Sequence, residues 1–158
     1  MIKKFLLAST LFLSVSLFAC GQEHQKSENW LTGFNQAEKT TVLLNNDEGV
    51  LPLKNLEGRK IACIDLGFSH HIVLDSMLNK YSKADHFNGN MYHSDHDFKG
   101  LVDELKFYNT VILSLSDVSV FDEDVMSFIL EMQQKKTAIV ALFGDGKSLT
   151  KLNSITAP

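Results

Sequence analysis

Asn109-Thr110-Val111-Ile112-Leu113-Ser114-Leu115 decides the fold of this chain. A nearly continuous apolar run of this length, rich in branched side chains, predicts a strand covered on both faces rather than one. Thr137–Phe143 (TAIVALF) reads the same way, and Lys60–Leu66 (KIACIDL) is a third, shorter run of that kind. Ala84–Phe87 is a weaker fourth strand. The segments between them carry helical spacing. Ser69 stands where a cap would open a helix through about Tyr81, with Val73, Leu74, Met77, Leu78 and Tyr81 on one side. Asp97 stands before Phe98, Leu101, Val102 and Leu105, and Asp122 before Val125, Phe128, Ile129 and Met132. Helices alternating with strands predict an α/β fold, a three-layer doubly wound and mostly parallel sheet of about four strands. The expected order is 2-1-3-4. Ser148–Ile155 starts one more helix shortly before Pro158, so the sheet reads as minimal or cut short.

Upstream of the sheet, Trp30, Phe34, Ala37 and Thr41 repeat at helical spacing, and the segment is expected to run on to Asn45. Asn45-Asn46-Asp47-Glu48-Gly49 reads as a helix stop and turn. Val50-Leu51-Pro52-Leu53 is expected to be extended, because a proline pushes its predecessor out of helical geometry.

The first residues read as an address. Lys3 and Lys4 precede an apolar run from Phe5 to Phe18, long enough for the core of a signal peptide and short for a spanning helix. The run ends in Leu17-Phe18-Ala19-Cys20-Gly21, which resembles the bacterial lipoprotein box. The resemblance implies cleavage before Cys20 and a diacylglycerol on its thiol, so that acyl chains worth about 0.8 kcal/mol per buried methylene hold the protein at a bilayer. Residues 1–19 are then a signal peptide, 20–29 a polar tether and 30–158 the folded domain. The expected location is the bacterial cell envelope, lipid-anchored and outside the cytoplasm. With Cys20 consumed, Cys63 is the one free thiol, and its apolar surroundings Ile61-Ala62-Cys63-Ile64 predict a small buried hydrophobe rather than a nucleophile.

Composition narrows the function. The 158 residues are 44% hydrophobic and 22% charged, which excludes collagen-like and fully disordered chains. The formal charge is -4, and loss of Lys3 and Lys4 takes it to near -6. Such a chain has no electrostatic footprint for nucleic acid, and no broad basic surface for a membrane.

A longer resemblance covers residues 36–158. Ala37-Glu38-Lys39-Thr40-Thr41-Val42-Leu43-Leu44-Asn45-Asn46, then Gly49-Val50-Leu51-Pro52-Leu53, then Gly58-Arg59-Lys60-Ile61-Ala62-Cys63-Ile64 resemble the opening of the second, α/β domain of glycoside hydrolase family 3. Ala138–Gly144 is similar to that domain's strand ending in a Phe-Gly phrase, with Asp145-Gly146-Lys147-Ser148-Leu149 where the family often has Asn-Pro. The family hydrolyses glycosides with an aspartate nucleophile on a preceding barrel domain. No stretch here corresponds to it, and none of the family's catalytic residues falls on a position of this chain. Retaining glycosidases need two carboxyl groups about 5–5.5 Å apart, and the sequence nominates no such pair. The resemblance therefore implies a non-catalytic accessory or remnant domain in carbohydrate metabolism, with no cofactor. Its expected partners are the membrane, carbohydrate, a barrel-domain protein or a second copy. One alternative is a piece of a split hydrolase whose barrel lies on another chain.

Three polar clusters compete with that reading. His93, Asp95 and His96, with Asp97, offer nitrogen and oxygen donors to a cation such as zinc, although the preceding Asn88-Gly89-Asn90 reads as a surface loop. They define a second alternative, a metal- or small-ligand-binding lipoprotein. Gly144-Asp145-Gly146-Lys147-Ser148 follows a strand and precedes a helix, where backbone amides hold small anions; it lacks the spacing of a true phosphate loop. Ser114-Leu115-Ser116-Asp117 ends the third strand, where open α/β sheets bind ligands, and offers hydroxyl and carboxylate groups to a sugar. His70 and His71 are expected to face solvent or cap a helix.

Overall fold

The computed structural model describes residues 31–94 and 98–158, without the side chains of His93 and Ser94. The chain divides into two compact units between Val42 and Leu43. The first contains helix α1, over residues 31–40. It stops short of the expected Asn45. Thr40-Thr41-Val42 is a run of branched side chains that lose rotamer freedom in a helix. The Thr41 N–H and hydroxyl both close back on the Ala37 carbonyl, at 2.9 and 2.7 Å.

The second unit is an α/β layered fold. Four strands, β1 (Ile61–Leu66), β2 (Ala84–Asn88), β3 (Thr110–Ser116) and β4 (Thr137–Phe143), form one parallel sheet in the order 2-1-3-4. Parallel neighbours need crossovers, and these are helical. Helix α2 (His71–Leu78) joins β1 to β2; α3 (Gly89–Ser94) and α4 (Phe98–Glu104) precede β3; α5 (Glu123–Lys135) joins β3 to β4. The strand alternation sorts the core into two layers. Ala62, Ile64, Leu66, Val111, Leu113 and Leu115 face Leu101, Leu105 and the α5 stripe of Val125, Phe128, Ile129 and Met132. Ile61, Cys63, Ala84, Ile112 and Ile139 face the other way, against Leu74 and Leu78 of α2 and Val50, Leu51 and Leu53. The Leu-Pro-Leu segment is thus a plug beneath the sheet, and its Leu51–Pro52 peptide is cis. Asn46 holds it in place: its amide donates to the Leu51 carbonyl at 2.7 Å and its carbonyl accepts the Leu51 N–H at 3.0 Å.

Helix ends follow the local chemistry. Asp122 caps α5 by accepting the N–H groups of Asp124 and Val125 at 3.0 and 3.1 Å. Ser69 does not cap α2; its hydroxyl bonds the neighbouring His70 ring at 3.0 Å. Helix α2 ends at Leu78, three residues before Tyr81. There the Asn79 side chain takes over, accepting the Ala84 N–H at 3.1 Å and donating to the Asp75 carbonyl at 2.9 Å. Asn88-Gly89-Asn90 is not a surface loop but the end of β2 and the start of α3. Gly89 is buried there, and a Cβ on it would lie 2.6 Å from the Asp65 carbonyl oxygen. The predicted helix over Ser148–Ile155 is a 3-10 turn, Ser148–Leu152. Asp97 lies outside the described residues.

Candidate functional site at the strand carboxyl ends

β1 and β3 lie side by side while their crossovers leave in opposite directions, so their carboxyl ends mark the switch point where α/β sheets place ligands. Two carboxylates stand there.

Asp65, the penultimate residue of β1, is 2% exposed. One oxygen accepts the Phe68 N–H at 2.8 Å; the other lies 3.2 Å from His71 Nδ1 and accepts the Asn90 amide at 3.3 Å. The His71 ring stacks on His86, with centroids 4.9 Å apart and planes 14° from parallel. His86 Nδ1 in turn sits 2.8 Å from Asp75 Oδ2. Asp65, His71, His86 and Asp75 thus form one polar chain between α2 and the β1–β2 edge. His71 does not face solvent as expected. It is turned inward because Asp65 and His86 wait there. A carboxylate holding an imidazole by Nδ1 leaves Nε2 for chemistry, but the adjacent hydroxyl, Ser69, is bonded to His70 instead. Sequence reasoning missed this chain; its one legible trace is His71 and Asp75, four apart on a helix face.

Cys63 lies beside it, 1% exposed. Burial first, and the Asp75 and Asp65 carboxylates after it, push the thiol far above its ordinary range. The folded state therefore keeps its proton where the unfolded chain loses it, above about pH 8.5. That contribution to stability is complete below this pH and is lost progressively above it, up to the raised pKa of the folded state. Iodoacetamide at pH 8 is expected to leave Cys63 unmodified in the native protein and to alkylate it in urea. Rapid native alkylation would contradict this burial.

The second carboxylate is Asp117, just past β3. It accepts the Asp145 N–H at 3.0 Å from either oxygen, and the buried Ser148 hydroxyl at 2.6 Å. Gly144 makes this possible, since a Cβ there would fall 1.9 Å from Asp117 Oδ1. Lys147 N–H turns back to Asp145 Oδ1 at 2.8 Å. The amides at Asp145 and Lys147, expected to offer themselves to an anion, are bound by the chain's own carboxylates. The serines of β3 are similarly engaged: Ser114 donates to the Ile64 carbonyl at 3.2 Å, and Ser116 pairs with Ser119 at 2.9 Å. Ser119 donates in turn to the Leu66 carbonyl. Phe68 and Phe143 stack at 3.8 Å beside them.

Gly67 closes the gap between the two nodes. Its φ is +88°, a region side chains rarely enter, and an added Cβ would meet Ser119 Oγ at 2.3 Å. Gly67→Ala is expected to cost about 1–3 kcal/mol in urea denaturation, with Gly146→Ala, which has open space around it, near neutral. Equal losses at both positions would remove the steric account.

Asp95 and His96 lie outside the described residues, as does the side chain of His93. Among the described residues no group of three His, Cys, Asp or Glu is placed to hold a metal ion, and no helix is long and apolar enough to cross a membrane. At the opposite end of the sheet an open groove is lined by Glu48, Tyr108, Gln133, Lys136 and Thr156. Its Lys136 is a tie: the ammonium donates to the carbonyls of Leu105 and Tyr108 at 2.8 and 2.7 Å. Burial, with Lys135 nearby, holds it below its ordinary pKa.

Comparison with known protein families, curated proteins and solved structures finds no match to this chain.

Proposed function

We propose that this chain is a lipid-anchored, non-catalytic accessory domain of the bacterial cell envelope, acting in carbohydrate metabolism. The lipoprotein-like box at Cys20 supports the anchor, and the Leu-Leu-Asn to Leu-Pro-Leu phrase supports kinship with the second domain of family 3 glycosidases. The observation that carries the non-catalytic part is the use made of the carboxylates at the switch point. Asp65 and Asp117 each accept several donors from the protein's own backbone and side chains, which makes them structural posts. The Leu-Pro-Leu plug beneath the sheet gives the phrase a physical role: together with Leu74 and Leu78 of α2 it packs against the layer of Ile61, Cys63, Ala84, Ile112 and Ile139.

The test has two arms. Intact-mass analysis of the protein from membranes should show a mature chain beginning at an acylated Cys20, and Cys20→Ser should abolish that species. Purified protein should give no turnover of nitrophenyl β-N-acetylglucosaminide or β-glucoside above buffer. Hydrolysis proportional to protein, surviving further purification, would overturn the accessory reading.

A further inference from the structure

Helix α2 is built the wrong way round for a helix that meets water. Its inner side carries His71 and Asp75 beside Leu74 and Leu78, while Ile72, Val73 and Met77 point outward and are 72%, 60% and 40% exposed. Tyr81, just beyond, is 81% exposed. Contiguous exposed apolar side chains of this kind mark a surface that something covers.

The charges around the patch say what. Lys80 extends along the helix end, its ammonium 3.4 Å from the Met77 sulfur. Lys83, its side chain 87% exposed, follows two residues after Tyr81 and pairs only loosely with Asp85, at 3.9 Å. Asp75, the one acid of α2, is turned inward to His86. An aliphatic centre with a tyrosine and two lysines at its rim, in a chain of net negative charge, has the chemistry of a bilayer interface element. A second copy fits less well. A two-fold contact presents the same patch from both sides, so Lys80 and Lys83 would meet no acid of α2, whose one carboxylate is turned inward. Anionic headgroups complement them instead, each lysine near such a surface contributing favourably.

We propose that the outer face of α2, formed by Ile72, Val73 and Met77 with Tyr81, Lys80 and Lys83, rests on an anionic phospholipid bilayer. The inference rests on the proposed lipid at Cys20 for its local concentration: the short tether Gly21–Asn29 keeps the domain at the membrane, so that a weak surface contact suffices.

The test uses the full chain purified from membranes, with Val73→Cys or Met77→Cys labelled by an environment-sensitive fluorophore. Both sites are exposed, and buried Cys63 stays unlabelled. The protein is placed in phosphatidylethanolamine–phosphatidylglycerol vesicles containing a nitroxide-bearing lipid. A side chain seated at the headgroup–acyl boundary should lose about half its fluorescence or more. A label at the exposed Ser127 of α5, on the far side of the sheet, should lose almost none. Lys80→Glu with Lys83→Glu should abolish the quenching at position 73. Absence of quenching at both α2 sites, while intact mass shows acylated Cys20, overturns the surface and leaves the anchor standing. Quenching without acylation keeps the surface and removes the anchor. Label self-quenching that grows with protein concentration, without quenching by lipid, assigns the face to a second copy and overturns the proposal.

Discussion

Phe128→Ala is expected to remove about 3–5 kcal/mol of stability, the cost of emptying a large aromatic site in a packed core. Phe128 is 2% exposed, on the buried stripe of α5 between Val125 and Met132. It stacks on Phe98 of α4, with centroids 4.7 Å apart. It therefore joins the two helical crossovers that cover one face of the sheet. Domains have only about 5–15 kcal/mol in total, so this single change consumes a large share. At roughly 4 °C per kcal/mol for a unit of this size, the melting temperature should fall by about 12–20 °C. Thermal unfolding followed by far-ultraviolet circular dichroism measures it. Phe128→Leu, which keeps most of the volume, should lose clearly less. A loss under about 1 kcal/mol for the alanine variant would show that the α4–α5 layer does not pack as described.

The second large effect is expected at Asp65. Asp65→Ala leaves the Phe68 N–H, the His71 ring and the Asn90 amide without their acceptor, at the buried end of β1. Hydrogen bonds to a charged acceptor are worth about 1.5–3 kcal/mol each, and water recovers part of the loss at the half-buried histidine; a net cost of about 2–4 kcal/mol follows. Asp65→Asn discriminates the contacts. It keeps an oxygen for Phe68 but sets an NH2 group against Asn90 and His71, so it should fall between wild type and alanine. A double-mutant cycle with His71→Ala should return a coupling of about 0.5–3 kcal/mol. Additive losses would mean that the Asp65–His71 contact contributes nothing to the docking of α2. Amide hydrogen exchange at Phe68 gives an independent reading, since its protection depends on the Asp65 oxygen.

Both sites show how far the sequence reaches. The stripe Val125, Phe128, Ile129 and Met132 was legible as a core face because α5 is polar on its other side, and one apolar stripe has one way to turn. Helix α2 has no such contrast. His71-Ile72-Val73-Leu74-Asp75-Ser76-Met77-Leu78 carries apolar residues nearly all round. Spacing alone grouped Val73, Leu74, Met77, Leu78 and Tyr81 on one side. In the fold, Leu74 and Leu78 face the sheet while Val73, Met77 and Tyr81 face outward. The rotation is set by Asp65 on β1 and His86 on β2, which draw His71 and Asp75 beneath the helix. Those residues lie on other strands, and no local pattern couples them.

The same division holds for the carboxyl end of the sheet. By itself the sequence determined the strands and the helices between them, because apolar runs and helical spacing are properties of neighbouring residues; the order 2-1-3-4 was an expectation from their alternation that the tertiary structure bears out. Only the tertiary structure decided that Asp117 reaches across 31 positions to Ser148 and holds the loop after β4. Only it decided that Gly67 and Gly144 are required, by the close approach of Ser119 and Asp117. The physical reason is that a donor seeks the nearest acceptor in space. Whether a loop amide meets an outside anion or the chain's own carboxylate depends on which strand ends the sheet brings together.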